Sequence, residues 1–192
     1  MTACSIDKRA LRSAGQSARR QLGPGQRSIY SQTVCQRLTE ILAAAQPSCL
    51  LTYRTMATEV ATDSLFRDVS ARLYAPVTHH HRDMVWRHVR SDTIWRKGVF
   101  GVDEPEDGAL WSPTAGRTLL ICPLVAFDRR GNRLGMGKGC FDFWLAQHHK
   151  TIDLAIGLAF SCQEVANIPA ERHDMPMDYI ITEKEVMQCL KL

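Results

Sequence analysis

A three-layer α/β domain, with a mostly parallel central sheet flanked by helices on both faces, is predicted by three features of the chain. Apolar runs short enough for strands alternate with longer segments of helical periodicity. The 192 residues suffice for one sizeable core, and 45% hydrophobic against 23% charged residues is ordinary for a globular protein. No apolar run approaches the roughly 18 residues that a membrane span needs. No repeat, low-complexity tract or linker breaks the pattern, so residues 1–192 are expected to form one domain.

Each element has its own signal. Residues 5–21 carry Lys8, Arg9, Arg12, Arg19 and Arg20 and should form a helix that stops at Gly23-Pro24. Residues 25–45 follow as a longer helix, with Ile29, Val34, Leu38, Ile41 and Leu42 near one face. Residues 49–53 are a strand. Thr62-Asp63-Ser64 starts a helix that runs through Ala71, and residues 73–75 are the next strand, ended by Pro76. Residues 83–89 are a further candidate strand of poor periodicity, and 101–116 is rich in turns. Residues 119–124 read as a buried strand and 141–148 as a helix. The last two strands are expected at 152–159 and 179–182, with a short closing helix over 183–190.

The most informative segment is Gly131-Asn132-Arg133-Leu134-Gly135-Met136-Gly137-Lys138-Gly139-Cys140-Phe141-Asp142. Glycines at every second position leave a backbone that can point successive N–H groups into one concavity, a nest suited to an anion. Arg133 and Lys138 add positive charge, and Asp142 supplies a carboxylate able to hold Mg2+. The buried strand before this loop and the helix after it complete a strand–loop–helix phosphate site. The spacing matches neither a Walker A loop nor the G-x-G-x-x-G dinucleotide fingerprint, because the glycines alternate strictly. The competing reading is a surface loop whose glycines only make turns.

Charge and cysteine usage bound the partners. A net charge of +4 is too mild to argue for nucleic acid, though it suits an acidic small substrate. The start of the chain lacks an apolar signal core, and seven cysteines are scattered without a C-x-x-C pair. Reduced thiols and a cytoplasmic location are expected. His79-His80-His81 cannot readily chelate one ion, since neighbours on an extended chain point to alternate faces. His88, His148, His149 and His173 show no ligand spacing. Trp86 and Trp95 lie near basic residues, but without a nucleic-acid motif they read as core or cleft residues.

The segment Pro123-Leu124-Val125-Ala126-Phe127-Asp128, the glycine loop and Phe141-Asp142 together resemble the 5-formyltetrahydrofolate cyclo-ligase family, also called methenyltetrahydrofolate synthetases. Lys8-Arg9-Ala10-Leu11-Arg12 is similar to the family's K-x-x-L-R, and Glu59-Val60-Ala61-Thr62 to its E-[VI]-x-T. Phe100-Gly101-Val102-Asp103-Glu104-Pro105 is similar to aromatic-G-[IV]-x-E-P, and Asp174-Met175-Pro176-Met177-Asp178 to the acidic pair near the C-terminus. The resemblance implies conversion of 5-formyltetrahydrofolate to 5,10-methenyltetrahydrofolate with ATP as co-substrate and Mg2+ as cofactor, releasing ADP and phosphate. Phosphoryl transfer asks mainly for alignment and charge neutralisation, so no protein nucleophile is required.

Roles follow residue by residue from the same resemblance. Arg133 and Lys138 would serve catalysis by neutralising the transferred phosphoryl group. ATP would be held by Lys8, Arg9, Ala10, Leu11 and Arg12 and by Arg133, Leu134, Gly135, Met136, Gly137, Lys138, Gly139, Cys140 and Phe141. The folate would meet Arg54, Glu59, Phe100, Met136, Gly137, Lys138, Gly139 and Cys140, with Glu59 accepting from the pterin and Phe100 stacking on it. Asp142 and Asp174 would hold the metal, with Asp178 as the nearest rival, and Asp128 would equally cap the turn before the loop. Cys140 stands where the family carries an aromatic residue and reads as a small packing residue, while Arg54 stands at a commonly apolar position. A monomer acting on small molecules, with no nucleic-acid or membrane partner, is expected. Two other classes fit the same scaffold: a non-catalytic nucleotide or sugar-phosphate sensor, and a basic protein using its first helix on nucleic acid.

Overall fold

A computed structural model describes residues 7–171 and 174–189. Cys4, His173 and residue 190 of the expected closing helix lie outside them. Helix α1 (Lys8–Gln21) starts where the Asp7 carboxylate accepts from the Arg9 N–H at 2.8 Å. It ends before Gly23, and Pro24 opens α2 (Pro24–Ala45), where its missing N–H costs nothing. Gln46 closes α2 in the left-handed region at φ 46°, returning its N–H to the Leu42 carbonyl.

Seven strands form the central sheet in the order β11 (Val186–Gln188), β10 (Tyr179–Ile181), β9 (Leu154–Leu158), β6 (Thr118–Pro123), β1 (Cys49–Leu51), β2 (Arg72–His80), β3 (Asp83–His88). The run from β10 to β2 is parallel, and β11 and β3 close the edges antiparallel. The two-residue side-chain period sorts the sheet residues between two cores. Leu50, Leu73, Leu119, Ile121 and Ile156 pack with Val34, Leu38 and Leu42 of α2 and with Leu65 of α3 (Leu65–Asp68). Leu51, Tyr74, Leu120, Cys122 and Ile180 pack on the opposite side with Trp144 and Leu145 of α4 (Cys140–His148). The predicted three-layer α/β architecture is the one observed.

Several local expectations are corrected. The described part of the expected closing helix, residues 183–189, is not helical, since Val186–Gln188 is strand β11, antiparallel to β10. The Thr182 hydroxyl accepts from the N–H groups of Lys184 and Glu185, making a tight turn, and Met187 alternates inward between exposed neighbours. Pro76 does not end its strand, because β2 continues to His80. The Tyr74 carbonyl still bonds toward β1, whose pairing stops at Leu51, so the missing N–H two residues later faces no neighbouring strand. The helix expected from Thr62-Asp63-Ser64 through Ala71 is only the four residues of α3. Two small hairpins were not foreseen: β4 (Trp95–Lys97) with β5 (Asp103–Pro105), and β7 (Ala126–Phe127) with β8 (Arg133–Leu134). Strands of two or three residues leave no periodicity to read.

Helix α1 does not cover the sheet. It packs across its end, on β7 and the turn Ser161–Gln163, with Leu11 against Ala126, Leu134 and Ile168. Gly15 permits this approach, because any Cβ there would fall inside contact distance of the Val125 carbonyl oxygen. Among the described residues no helix is long and apolar enough to cross a membrane. Cys35, Cys49, Cys122, Cys140, Cys162 and Cys189 are free thiols.

Candidate active site

The strand order reverses direction at the pair β1 and β6, and a cleft opens beyond their C-terminal ends. Crevices at such switch points are where open α/β sheets bind ligands. The cleft holds about 930 Å3 of space including its open mouth. Tyr53, Arg54, Met56 and Glu59 line it from the β1 side, Pro123, Leu124 and Val125 from the β6 side, and the glycine loop with the start of α4 forms another wall.

The glycine loop follows the short hairpin strand β8, not the central strand β6 as expected. Asp128 turns that hairpin. Its carboxylate, in a residue only 1% exposed, accepts from the N–H groups of Arg130, Asn132 and Ile168 and from the Asn132 side chain. It therefore caps the turn, the alternative role read from sequence. Gly137 and Gly139 adopt φ 88° and 74°, with Gly139 in the N-cap position of α4. Among the described residues no acceptor takes the N–H groups of Gly137, Lys138, Gly139, Cys140 or Phe141. Unused donors of this kind, at a helix N-terminus, are the physical basis of an anion site.

Charged side chains converge on this loop. The Arg12 Nε donates to the Gly135 carbonyl at 3.1 Å, and a Cβ on Gly137 would lie 3.5 Å from that nitrogen. The Lys8 ammonium binds Glu171 at 2.9 Å and Asp174 at 3.0 Å. Burial lowers its pKa, but these two carboxylates outweigh that effect and raise it. Arg133 has its side chain 4% exposed and reaches Asp142 Oδ1 at 2.6 Å. Burial opposes its charge, while Cys122, Asp142 and Asp174 favour it strongly enough to raise the pKa. Its Nε and second terminal nitrogen have no protein acceptor among the described residues. The Lys138 ammonium sits 5.6 Å from the centre of the Phe100 ring, and both residues line the cleft.

Not every expected residue reaches the loop. Arg9 and Ala10 are exposed on α1, and the side chains of Leu11 and Leu134 belong to the small core behind the loop. Asp178 binds the Ala155 N–H at 2.8 Å and joins β10 to β9. Asp174 accepts from the Glu171 N–H as well as from Lys8. Among the described residues no cluster of three or more His, Cys, Asp or Glu could hold a metal by itself. His80 and His81 are exposed with their rings against each other, and Trp86 is buried in the core against Phe141 and Trp144.

On the far wall, Glu59 is 8% exposed, and its Oε2 accepts from the Met56 N–H at 3.0 Å. Burial raises its pKa, opposed by that N–H and by Arg19. Arg54 lies over Trp95 at 4.5 Å and Phe66 at 5.2 Å and binds Asp63 at 3.2 Å, so its charge holds the β4–β5 hairpin. Cys140 is half-buried, and burial raises its thiol pKa, in keeping with packing and not with an activated nucleophile. Two residues without a role in the sequence reading also belong here. Glu104 lines the cleft and accepts from the Thr78 N–H at 3.0 Å, and burial raises its pKa against that hydrogen bond and His79. Arg19, read only as part of a basic helix, is buried beside Glu59. The E-P motif pointed to Glu104, whereas nothing in the helical charge run distinguished Arg19.

The fold and this site define an α/β enzyme with an anion-suited glycine loop on the wall of a deep cleft. The profile of the 5-formyltetrahydrofolate cyclo-ligase family matches residues 5–183, and the chain belongs to that family of folate-metabolism ligases. It is similar to the 5-formyltetrahydrofolate cyclo-ligase of Haemophilus influenzae, 32% identical over 155 residues covering 76% of this chain and 81% of that one. The Escherichia coli K12 enzyme of the same name is 29% identical over 180 residues, 88% of this chain and 97% of its own. The solved 5,10-methenyltetrahydrofolate synthetase of Aquifex aeolicus superimposes with a TM-score of 0.81 at 28% identity, covering 97% of this chain and 95% of that one. A Mycoplasma pneumoniae structure shares the fold, with a TM-score of 0.75 at 23% identity over 93% of this chain and 99% of that one.

Proposed function

We propose that the chain, working as one unit over residues 1–192 and as a monomer in a reducing cytoplasm, cyclises 5-formyltetrahydrofolate to 5,10-methenyltetrahydrofolate at the expense of ATP. The carrying observation is that one cleft joins a buried carboxylate, Glu59, to glycine-loop N–H groups that have no protein acceptor among the described residues. A pterin presents paired N–H donors that suit the first, and nucleotide phosphates suit the second.

The formyl oxygen attacks the γ-phosphorus and ADP leaves. N10 then adds to the activated carbon and loses its proton, and the C–O bond breaks to release phosphate. The protein's part is alignment and charge. Arg12, Arg133 and Lys138 neutralise the phosphates, the backbone of 135–141 cradles them, and Lys8 holds Asp174 in place. Arg54, Phe100 and the loop residues Met136 to Cys140 wall the folate, whose pterin meets Glu59.

A divalent cation fits the donors present. Asp142 is partly exposed on the cleft and gives only one oxygen to Arg133, and Mg2+ takes one or two carboxylates with phosphate oxygens and water for the rest. Held by Asp142 and Asp174, it would supply charge neutralisation at the phosphate oxygens. The test is absorbance of the methenyl product formed from 5-formyltetrahydrofolate with and without Mg-ATP. A folded sample that binds ATP and forms no product would overturn the reading in favour of a nucleotide sensor.

A further inference from the structure

Arg19 is 3% exposed in a helix whose other basic residues face solvent or the phosphate loop. Its hydrogen bonds are poor for so buried a cation. One terminal nitrogen lies 3.3 Å from the Leu124 carbonyl, the other 3.6 Å from the Met136 sulfur, and Nε has no acceptor among the described residues. An apolar side chain would fill this position more stably, since a desolvated guanidinium without good partners is destabilising. What the charge does have is Glu59 Oε1 at 3.9 Å, with the Glu59 side chain 6% exposed. That gap is too long for a hydrogen bond. Glu59 thus has Oε2 anchored by the Met56 N–H, while Oε1 faces a positive charge without being consumed by it.

We propose that Arg19 is a positioning residue for the folate half of the reaction: it keeps the buried Glu59 carboxylate charged and oriented while leaving Oε1 able to accept from the substrate. The inference rests on the folate reading above and deepens it. On the same helix Arg12 lies against Gly137, so α1 meets the loop through Arg12 and the carboxylate through Arg19. The other titratable groups around the pair are Tyr53 beside Glu59, and Arg20 and Cys162 near Arg19. None of them supplies the carboxylate with a second close cation among the described residues. Burial pushes the Glu59 carboxyl up, and Arg19 is the charge that opposes it.

Equilibrium titration with 5-formyltetrahydrofolate tests the role. Arg19→Met is expected to weaken folate binding about tenfold or more, with ATP binding held within about twofold. Glu59 neutralises on acidification, so losing the opposing charge moves the acid limb of folate binding upward by about one pH unit. Arg19→Lys keeps a cation and restores that limb, which a packing role alone would not do. On a Glu59→Gln background, Arg19→Met should add no further folate loss. This neutral double variant also serves if the single one fails to fold. A carboxyl NMR titration of Glu59 without ligand reads the electrostatic part separately: Arg19→Met raises the midpoint even if the substrate is not a folate. Unchanged midpoints, or an equal folate loss on both backgrounds, would overturn the proposal.

Discussion

Gly137 separates the proposed function of the loop from the stability of the core. At φ 88° it occupies a region that a branched side chain resists, and its Cβ would point toward Arg12 in the loop and not into the core. Gly137→Val should therefore abolish turnover while backbone strain of about 1–3 kcal/mol lowers the thermal midpoint by only several degrees. Mg-ATP should stabilise the unsubstituted chain by about 2.7 kcal/mol at a hundredfold excess over Kd and fail to stabilise the variant. Thermal shift with and without Mg-ATP checks this, and full protection of the variant would remove the loop from the phosphate site. Asp142 behaves differently, because it is the direct partner of a buried guanidinium. Asp142→Asn should lose activity and also lower unfolding free energy by about 2 kcal/mol, discounted because Asp142 is partly exposed. Urea unfolding of that variant, with unchanged stability as the contrary result, tests the pairing.

The element that organises the site is α1. Its sequence declared a helix and a basic face, and Lys8 and Arg12 were legible as neighbours four residues apart. What a charge run cannot reveal is depth, because a helix that packs across the end of a sheet buries positions that a solvated helix exposes. Arg19 went undistinguished from its basic neighbours for this reason. Gly15 controls the depth. Gly15→Ala gains about 1 kcal/mol of helix propensity, but the added carbon collides with the Val125 backbone, and overpacking typically costs about 1–3 kcal/mol. The clash should win, giving a net loss of stability in urea and a rise in KM for both substrates as α1 is pushed outward. A stabilised variant with unchanged KM values would show that α1 is not seated as described.

Across the whole molecule, the two-sided core sets the chemistry of the thiols. Cys122 and Cys189 are buried, and desolvation raises each pKa to about 11. Their unfolded thiols ionise near the ordinary value of 9.0, so between that pH and about 11 the folded state binds more protons than the unfolded one. Stability therefore falls as pH rises through that window. Calorimetry from pH 8 upward should show a declining midpoint. Alkylation with mass-spectrometric mapping should label exposed Cys162 in the native protein, and Cys122 and Cys189 only on global unfolding.

The chain's own pattern determined the layers, the parallel centre of the sheet and the glycine loop, because periodicity and backbone freedom are local properties that survive without a fold. It also marked Glu59, Arg133 and Asp142, since their motifs are contiguous. Tertiary structure alone decided which charges meet. Lys8 meets Asp174 across 166 positions of sequence, Arg12 meets the Gly135 carbonyl across 123, and Arg19 comes within 3.9 Å of Glu59. It also decided that residues 186–188 extend the sheet, because an open edge beside β10 and a tight turn at Thr182 outweigh weak helical propensity. Pairing across long separations depends on where the backbone brings the ends together, and that geometry is not encoded in any short stretch of residues.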